Sequence, residues 1–159
     1  WSTPKPSPCK QDIVVHIRRG DNQPSNRQTL SFKTYTVNEW YRDRIPWIAS
    51  MYPDDYTIAI HSEGEMSEFE SIMDGWPRSL IDRTTWKLAK NWLAYQEFDL
   101  KTAFHEMVTT KVLLQSRSGF SYVAGLLSEG DVFFYKGNRF SGQKYPLDHW
   151  KAFGSEYEI

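Results

Sequence analysis

Short unbroken runs of apolar and β-branched residues, each closing on a polar turn and followed by a segment of helical period, constrain this chain more than any other feature. Residues 13–17, IVVHI, suit a strand buried on both faces better than one with a wet side. Residues 56–64, YTIAIHSEG, form a second such run, and 112–115 and 132–135 two more. Between them the spacing changes to that of helices. Residues 36–51 read as a helix with Thr36 as N-cap and Glu39 completing a capping box, kinked or split by Pro46. Residues 65–75 place Met66, Phe69, Ile72 and Met73 on one helical face, and 99–109 do the same with Leu100, Ala103, Phe104, Met107 and Val108. Residues 120–128 read as a last helix, stopped by Gly130. Residues 79–82 suggest a short strand, while 84–98 fit either a helix or a long excursion. Strand and helix alternate throughout, so the expected fold is α/β: a Rossmann-like open, mainly parallel sheet with helices on both faces.

The 159 residues suffice for one compact domain, assigned to 13–159, with the Pro/Ser/Lys-rich residues 1–12 as a linker or extension. Nineteen Lys and Arg against twenty Asp and Glu leave a net charge of -1, so no global field draws the chain to nucleic acid or an anionic membrane. Any anion site must be local. The longest apolar runs fall far short of the roughly 18 residues of a membrane span. Cys9 stands alone, which excludes an intrachain disulfide and a zinc site built on clustered cysteines. The compartment stays open between the Golgi lumen and the cytoplasm. The chain starts at Trp1, not Met, and is read as an excised piece of a longer protein.

In open α/β sheets ligands bind beyond the carboxyl ends of the strands, where strand order reverses. Three polar turns leave such ends: HIRRGD (16–21), HSEGE (61–65) and QSRSGFS (115–121). Arginine presents a planar fork of donors that matches phosphate and carboxylate oxygens. Neighbouring strand residues face opposite ways, so of Arg18 and Arg19 one is expected to meet an anion and the other to pair with an acid such as Asp21. The third turn leads a strand into a helix N-terminus, where free amides and the helix dipole favour an anion and Gly119 permits close approach. Plain capping by Ser118 or Ser121 is the alternative. An arginine fork and a helix N-terminus on two strand ends describe a pocket for a diphosphate.

These residues also carry a resemblance. HIRRGD resembles the H-x-R-R-x-D motif of the fucosyltransferases that make α1,2-, α1,6- and protein O-linked fucose. IHSEG (60–64) is similar to their second motif, and FHEMVTTKVLLQSRSGFSYVAGLL (104–127) to their third, in the family's order. The resemblance implies the nucleotide-binding half of a GT-B glycosyltransferase that takes GDP-fucose as donor, with no metal or other cofactor. It implies Arg18 as the main β-phosphate contact and catalytic residue, stabilising charge on the leaving diphosphate. His16 would lie against the nucleotide, Arg19 would support the loop or phosphate, and Asp21 would hold the guanidiniums. Ser116, Ser118, Gly119, Phe120 and Ser121 would form the phosphate and ribose turn, with Ser62, Glu63 and Gly64 at the sugar end. A glycan or glycoprotein hydroxyl would be the acceptor. Three positions depart from the family pattern. Ala103 stands where α1,6-type members carry a base-reading acid, with Asp99 one turn earlier; Lys111 stands where many have Asp or Asn; Gly119 replaces a frequent serine. A GT-B enzyme closes two such domains over its substrates, so a missing N-terminal partner domain is also implied.

Other residues carry less. His61 and Glu63 are expected to face different ways, which argues against a metal pair, and His105 reads as a core or cap histidine. His149 has no evident partner. Trp40, Trp47 and Trp76 fit apolar helical positions, leaving Trp86 and Trp92 as acceptor-side candidates. The RGD at 19–21 ends a buried strand and is poorly displayed for a receptor. Glu63 and Asp21 are the nearest candidates for a general base. The rival readings are a related transferase using another nucleotide sugar, and a non-catalytic nucleotide- or glycan-binding module.

Overall fold

The computed structural model describes residues 7–20, 35–89, 97–135, 147 and 149–153. Among them run six strands, β1 (Ile13–His16), β2 (Ile58–Glu63), β3 (Thr84–Ala89), β4 (Val112–Leu114), β5 (Asp131–Tyr135) and β6 (Trp150–Phe153). Four α-helices accompany them: α1 (Asn38–Ala49), α2 (Arg78–Asp82), α3 (Glu97–Thr109) and α4 (Gly119–Leu127). The strands form one sheet in the order β3-β2-β1-β4-β5-β6, every pair parallel. This is the Rossmann-like open sheet that the alternation predicts, and its order reverses between β1 and β4.

Alternation along the strands sorts the side chains into two cores. Ile13, Val15 and Ile17 join Ile58, Ile60, Val112 and Leu114 beneath α1, where Tyr41, Ile45 and Ile48 close over them. Val14, Leu113, Val132, Phe134 and Trp150 line the other face, covered by Ala103 and Met107 of α3 and Ala124 of α4. Both faces are buried, which explains why the central strands lack polar alternation.

Several elements differ from their sequence reading. Residues 65–75 fold as two 3-10 turns, Met66–Glu68 and Glu70–Met73, not one helix. The Glu68 carbonyl, which a continuous helix would offer to residue 72, accepts from Asn38 Nδ2 at 2.7 Å, while the Ile72 amide donates to Phe69. Residues 79–82 belong to helix α2, not a strand: Pro77 sets the N-cap and Arg78 pairs with Asp82 at 2.8 Å across one turn. The ambiguous stretch begins as strand β3, and β6 has no counterpart in the sequence reading. Helix α1 starts at Asn38 with Val37 as N-cap and no side-chain cap, so the Thr36–Glu39 box is not formed. Nor does Pro46 split it. The carbonyl of Arg42, deprived of the amide that residue 46 would supply, accepts instead from Trp76 Nε1 at 2.9 Å.

Candidate functional site

The carboxyl ends of β1 and β4 meet where the sheet order reverses, and the two elements are joined there by a side-chain hydrogen bond. His16 Nδ1 lies 2.8 Å from Ser116 Oγ, and that hydroxyl lies 3.3 Å from Ser121 Oγ in the first turn of α4. Ser118 is the N-cap of α4, its hydroxyl accepting from the Phe120 amide at 3.3 Å. Ser121 also donates toward the Ser116 carbonyl at 3.3 Å. All three serines are buried with their hydroxyls turned into the turn, so they shape the helix entrance. Gly119 begins the helix, and the Phe120 ring stands edge-on to His16 at 5.7 Å. Burial holds the His16 imidazole down to about 3, helped by the neighbouring His61 and by the Arg18 cation. The ring is therefore neutral at pH 7.

Arg18 and Arg19 part company as the strand pleat demands. Arg19 follows Ile13, Val15 and Ile17 to the α1 face and is 4% exposed. Its Nη1 donates to the Arg18 carbonyl at 3.0 Å and its Nη2 to Asn38 Oδ1 at 2.6 Å. The guanidinium lies 4.5 Å from the centre of the Tyr35 ring, with Tyr41 and Phe69 just under 6 Å away. Arg19 thus braces the β1 exit against α1 from within. Arg18 belongs to the His16 face and acts electrostatically on that imidazole. Asp21 lies outside the described residues. Gly20 takes φ +74°, and a Cβ there would collide with Glu63 Oε2, so the Glu63 carboxylate packs directly on the turn that carries Arg18. Ser62, buried, donates to the Ile17 carbonyl at 2.8 Å and ties β2 to the same turn.

A charged chain beside the site was not found by the sequence reading. His16, His61 and Lys87 are register partners on β1, β2 and β3, and Glu106 of α3 lies over the row. Its carboxylate meets His61 Nε2 at 2.7 Å and Lys87 Nζ at 2.6 Å. Burial lowers His61 against the opposing pull of Glu106, leaving it neutral at pH 7 and its Nε2–H free to donate to the carboxylate. Burial works to raise Glu106, but the hydrogen bonds from Lys87 and His61 outweigh it and hold the carboxyl below its ordinary range. His61 and Glu63 both lie within β2 at i and i+2, so the strand presents them to one side, contrary to expectation. Among the described residues no three His, Cys, Asp or Glu are grouped to hold a metal ion.

The remaining candidates scatter. His105 is exposed on α3 and lines, with Leu100, Phe104, Val108, Phe120 and Leu127, an apolar groove of about 410 Å³ between α3 and α4, so it is not a core histidine. Trp86 packs on Phe69 at 5.4 Å at the edge of the α1-side core, which withdraws it as an acceptor platform; Trp92 lies outside the described residues. Trp76 is core, Trp40 half-buried, and Trp47 39% exposed. The His149 Nε2 is enclosed without a hydrogen-bond partner among the described residues. Ala103 is buried against the sheet and offers nothing to a base; Asp99 falls in α3, outside the described side chains. Lys111, at the opposite end of the sheet, pairs with Asp12 at 2.7 Å.

No family model, curated protein or solved structure matches this chain. No helix among the described residues is long and apolar enough to cross a membrane.

Proposed function

We propose that this chain is the nucleotide-sugar-binding domain of a fucosyltransferase-like glycosyltransferase, moving fucose from GDP-fucose to a hydroxyl of a glycan or glycoprotein. The observation that carries the reading is the His16–Ser116 hydrogen bond across the strand-order reversal, with Arg18 on the same face and the α4 N-terminus beside it. An anion seated there meets a guanidinium and the positive end of a nine-residue helix. With Ser116 Oγ–H donating to Nδ1, neutral His16 presents Nε2–H as a donor to the same anion. These groups favour the diphosphate more as it departs and gains charge than in the ground state, and that difference is what accelerates transfer. Arg18 is the catalytic residue of this scheme. In this scheme Glu63, whose carboxylate lies against the Arg18 turn, takes the acceptor's proton.

The test is a thermal-shift panel on the purified chain with GDP, UDP and GMP, followed by transfer and hydrolysis assays with GDP-fucose. GDP is expected to raise the melting temperature and UDP not, and Arg18→Ala to weaken GDP at least about tenfold, as loss of a charge-assisted contact does. If neither nucleotide shifts melting, the reading fails. One observation favours a second reading, a transferase with a different base: Ala103 is buried and apolar. A shift with UDP and not GDP would select it. Binding without transfer or hydrolysis would select the non-catalytic module.

A further inference from the structure

Arg117 sits in the middle of the β4–α4 turn, between the buried Ser116 and Ser118. It reaches toward the α1 side, with its guanidinium 5.1 Å from the centre of the Tyr135 ring at the end of β5. Its charge also acts on Tyr41 of α1, as that of Arg19 does. Arg117 thus lies at the carboxyl ends of β4 and β5, beside the crevice opened by the reversal of strand order, on the side of the sheet that α1 covers. Its Nε is enclosed, with no hydrogen-bond partner among the described residues. Among the described residues no carboxylate pairs with it, whereas Arg19 is held by Asn38, Arg42 by Asp43, Arg78 by Asp82, and Arg83 by two carbonyls.

A guanidinium that stacks on an aromatic ring and has no carboxylate beside it among the described residues can offer its outer N–H groups to an acceptor that arrives from outside. Arg18 comes from β1 on the α3 and α4 face; Arg117 comes from β4 on the α1 face. We propose that Arg117 is the second guanidinium of the anion seat, gripping a nucleotide diphosphate from the side of the crevice opposite Arg18. The paired arginines of the sequence are then not the functional pair: Arg19 braces the fold and Arg117 takes its place. The inference rests on the nucleotide-diphosphate reading above and adds a selectivity to it. Two forks on opposite walls match two phosphoryl groups, so a diphosphate is preferred over a monophosphate.

The experiment is calorimetric titration of the full chain, wild type and Arg117→Ala, Arg117→Lys and Arg18→Ala, with GDP, GMP and inorganic pyrophosphate, alongside melting curves without ligand. Arg117→Ala is expected to weaken GDP and pyrophosphate about tenfold and GMP less, with unchanged or higher melting, since it removes an unsatisfied buried donor. Arg117→Lys should recover part of the binding, because it restores charge without the fork. If GDP binds Arg117→Ala as tightly as wild type while Arg18→Ala loses it, the Arg117 role is overturned and the nucleotide reading stands. If wild type binds none of the three ligands, both fall. If Arg117→Ala lowers melting and Arg117→Lys restores melting and binding together, the residue is structural and the proposal fails.

Discussion

Glu106 shows how much one carboxylate can organise. It is the acid that joins Lys87 of β3 to His61 of β2, and all three groups are largely enclosed, with side-chain exposures of 32%, 9% and 13% for Lys87, His61 and Glu106. Glu106→Gln keeps the shape and one hydrogen bond but leaves Lys87 without its counter-charge. Full burial would make such a loss roughly 3–5 kcal/mol; with Lys87 partly open to water, about 2 kcal/mol is expected, read by urea unfolding at pH 7. A loss no smaller than in the double variant Glu106→Gln/Lys87→Met, which removes the stranded charge as well, is the expected outcome; a larger loss in the double variant would contradict this account. None of the three was legible as a unit. Strand and helix register places them together, and residues 45 and 19 apart in the chain announce no such pairing. By contrast, the opposite facing of Arg18 and Arg19 was legible, because the pleat fixes it; the occupant of each face was not. Asn38, the partner that captures Arg19, has no signature beyond being a polar residue at a helix start.

At the scale of elements, two glycine and proline positions test how local rules yield to packing. Pro46 inside α1 removes an amide, and Trp76 supplies the replacement donor to the Arg42 carbonyl. Trp76→Phe should therefore destabilise by about 1 kcal/mol for the hydrogen bond, and less in a Pro46→Ala background where residue 46 donates again. A double-mutant cycle by denaturant unfolding reads the coupling; additivity of the two changes would contradict the compensation. Gly125 lies mid-helix in α4, where alanine is ordinarily better by about 1 kcal/mol. Here a Cβ would collide with Gln115 Nε2 and come within 2.9 Å of Trp150 Cζ2. Overpacking of about 1–3 kcal/mol wins over propensity, so Gly125→Ala is expected to lower the melting temperature, whereas an increase would mean that α4 can lift from the sheet. The same closeness explains why β6 was invisible in the sequence. Among the described residues it is an edge strand paired with β5 alone; Trp150 goes under α4 and Lys151 to solvent, where it meets Asp131 at 2.9 Å. The buried central strands advertise themselves by unbroken hydrophobicity, and an edge strand of four residues with a lysine cannot. Residues 65–75 misled for the opposite reason: their helical period is real, but Asn38 takes the carbonyl that a helix needs.

Across the whole molecule, the shifted imidazoles and carboxyls agree on the direction in which acid acts. His16 and His61 are held below 6.5 by burial, so the unfolded chain takes up protons that the folded chain refuses. Glu106, Asp12 and Asp131 are depressed carboxyls held by lysine or other hydrogen-bond donors, and they too bind protons more readily when unfolded. Each contribution is complete above the unfolded value and is lost as pH falls toward the folded one. Stability should then fall from about pH 6.5 downward, the imidazoles acting first and the carboxyls below about pH 4.5. For His16, with its folded value at about 3, the window from 6.5 to 4 spans 2.5 units at about 1.4 kcal/mol each, on the order of 3 kcal/mol by pH 4. Urea unfolding between pH 7.5 and 4 measures the slope. In His16→Asn, which keeps an acceptor for Ser116 but cannot titrate, the decline between 6.5 and 4 should be shallower by that amount, leaving the share of His61. Parallel curves for the two proteins would mean that the imidazole beneath the switch-point turn exchanges protons with solvent freely, and the neutral His16 on which the anion seat depends would be lost with it.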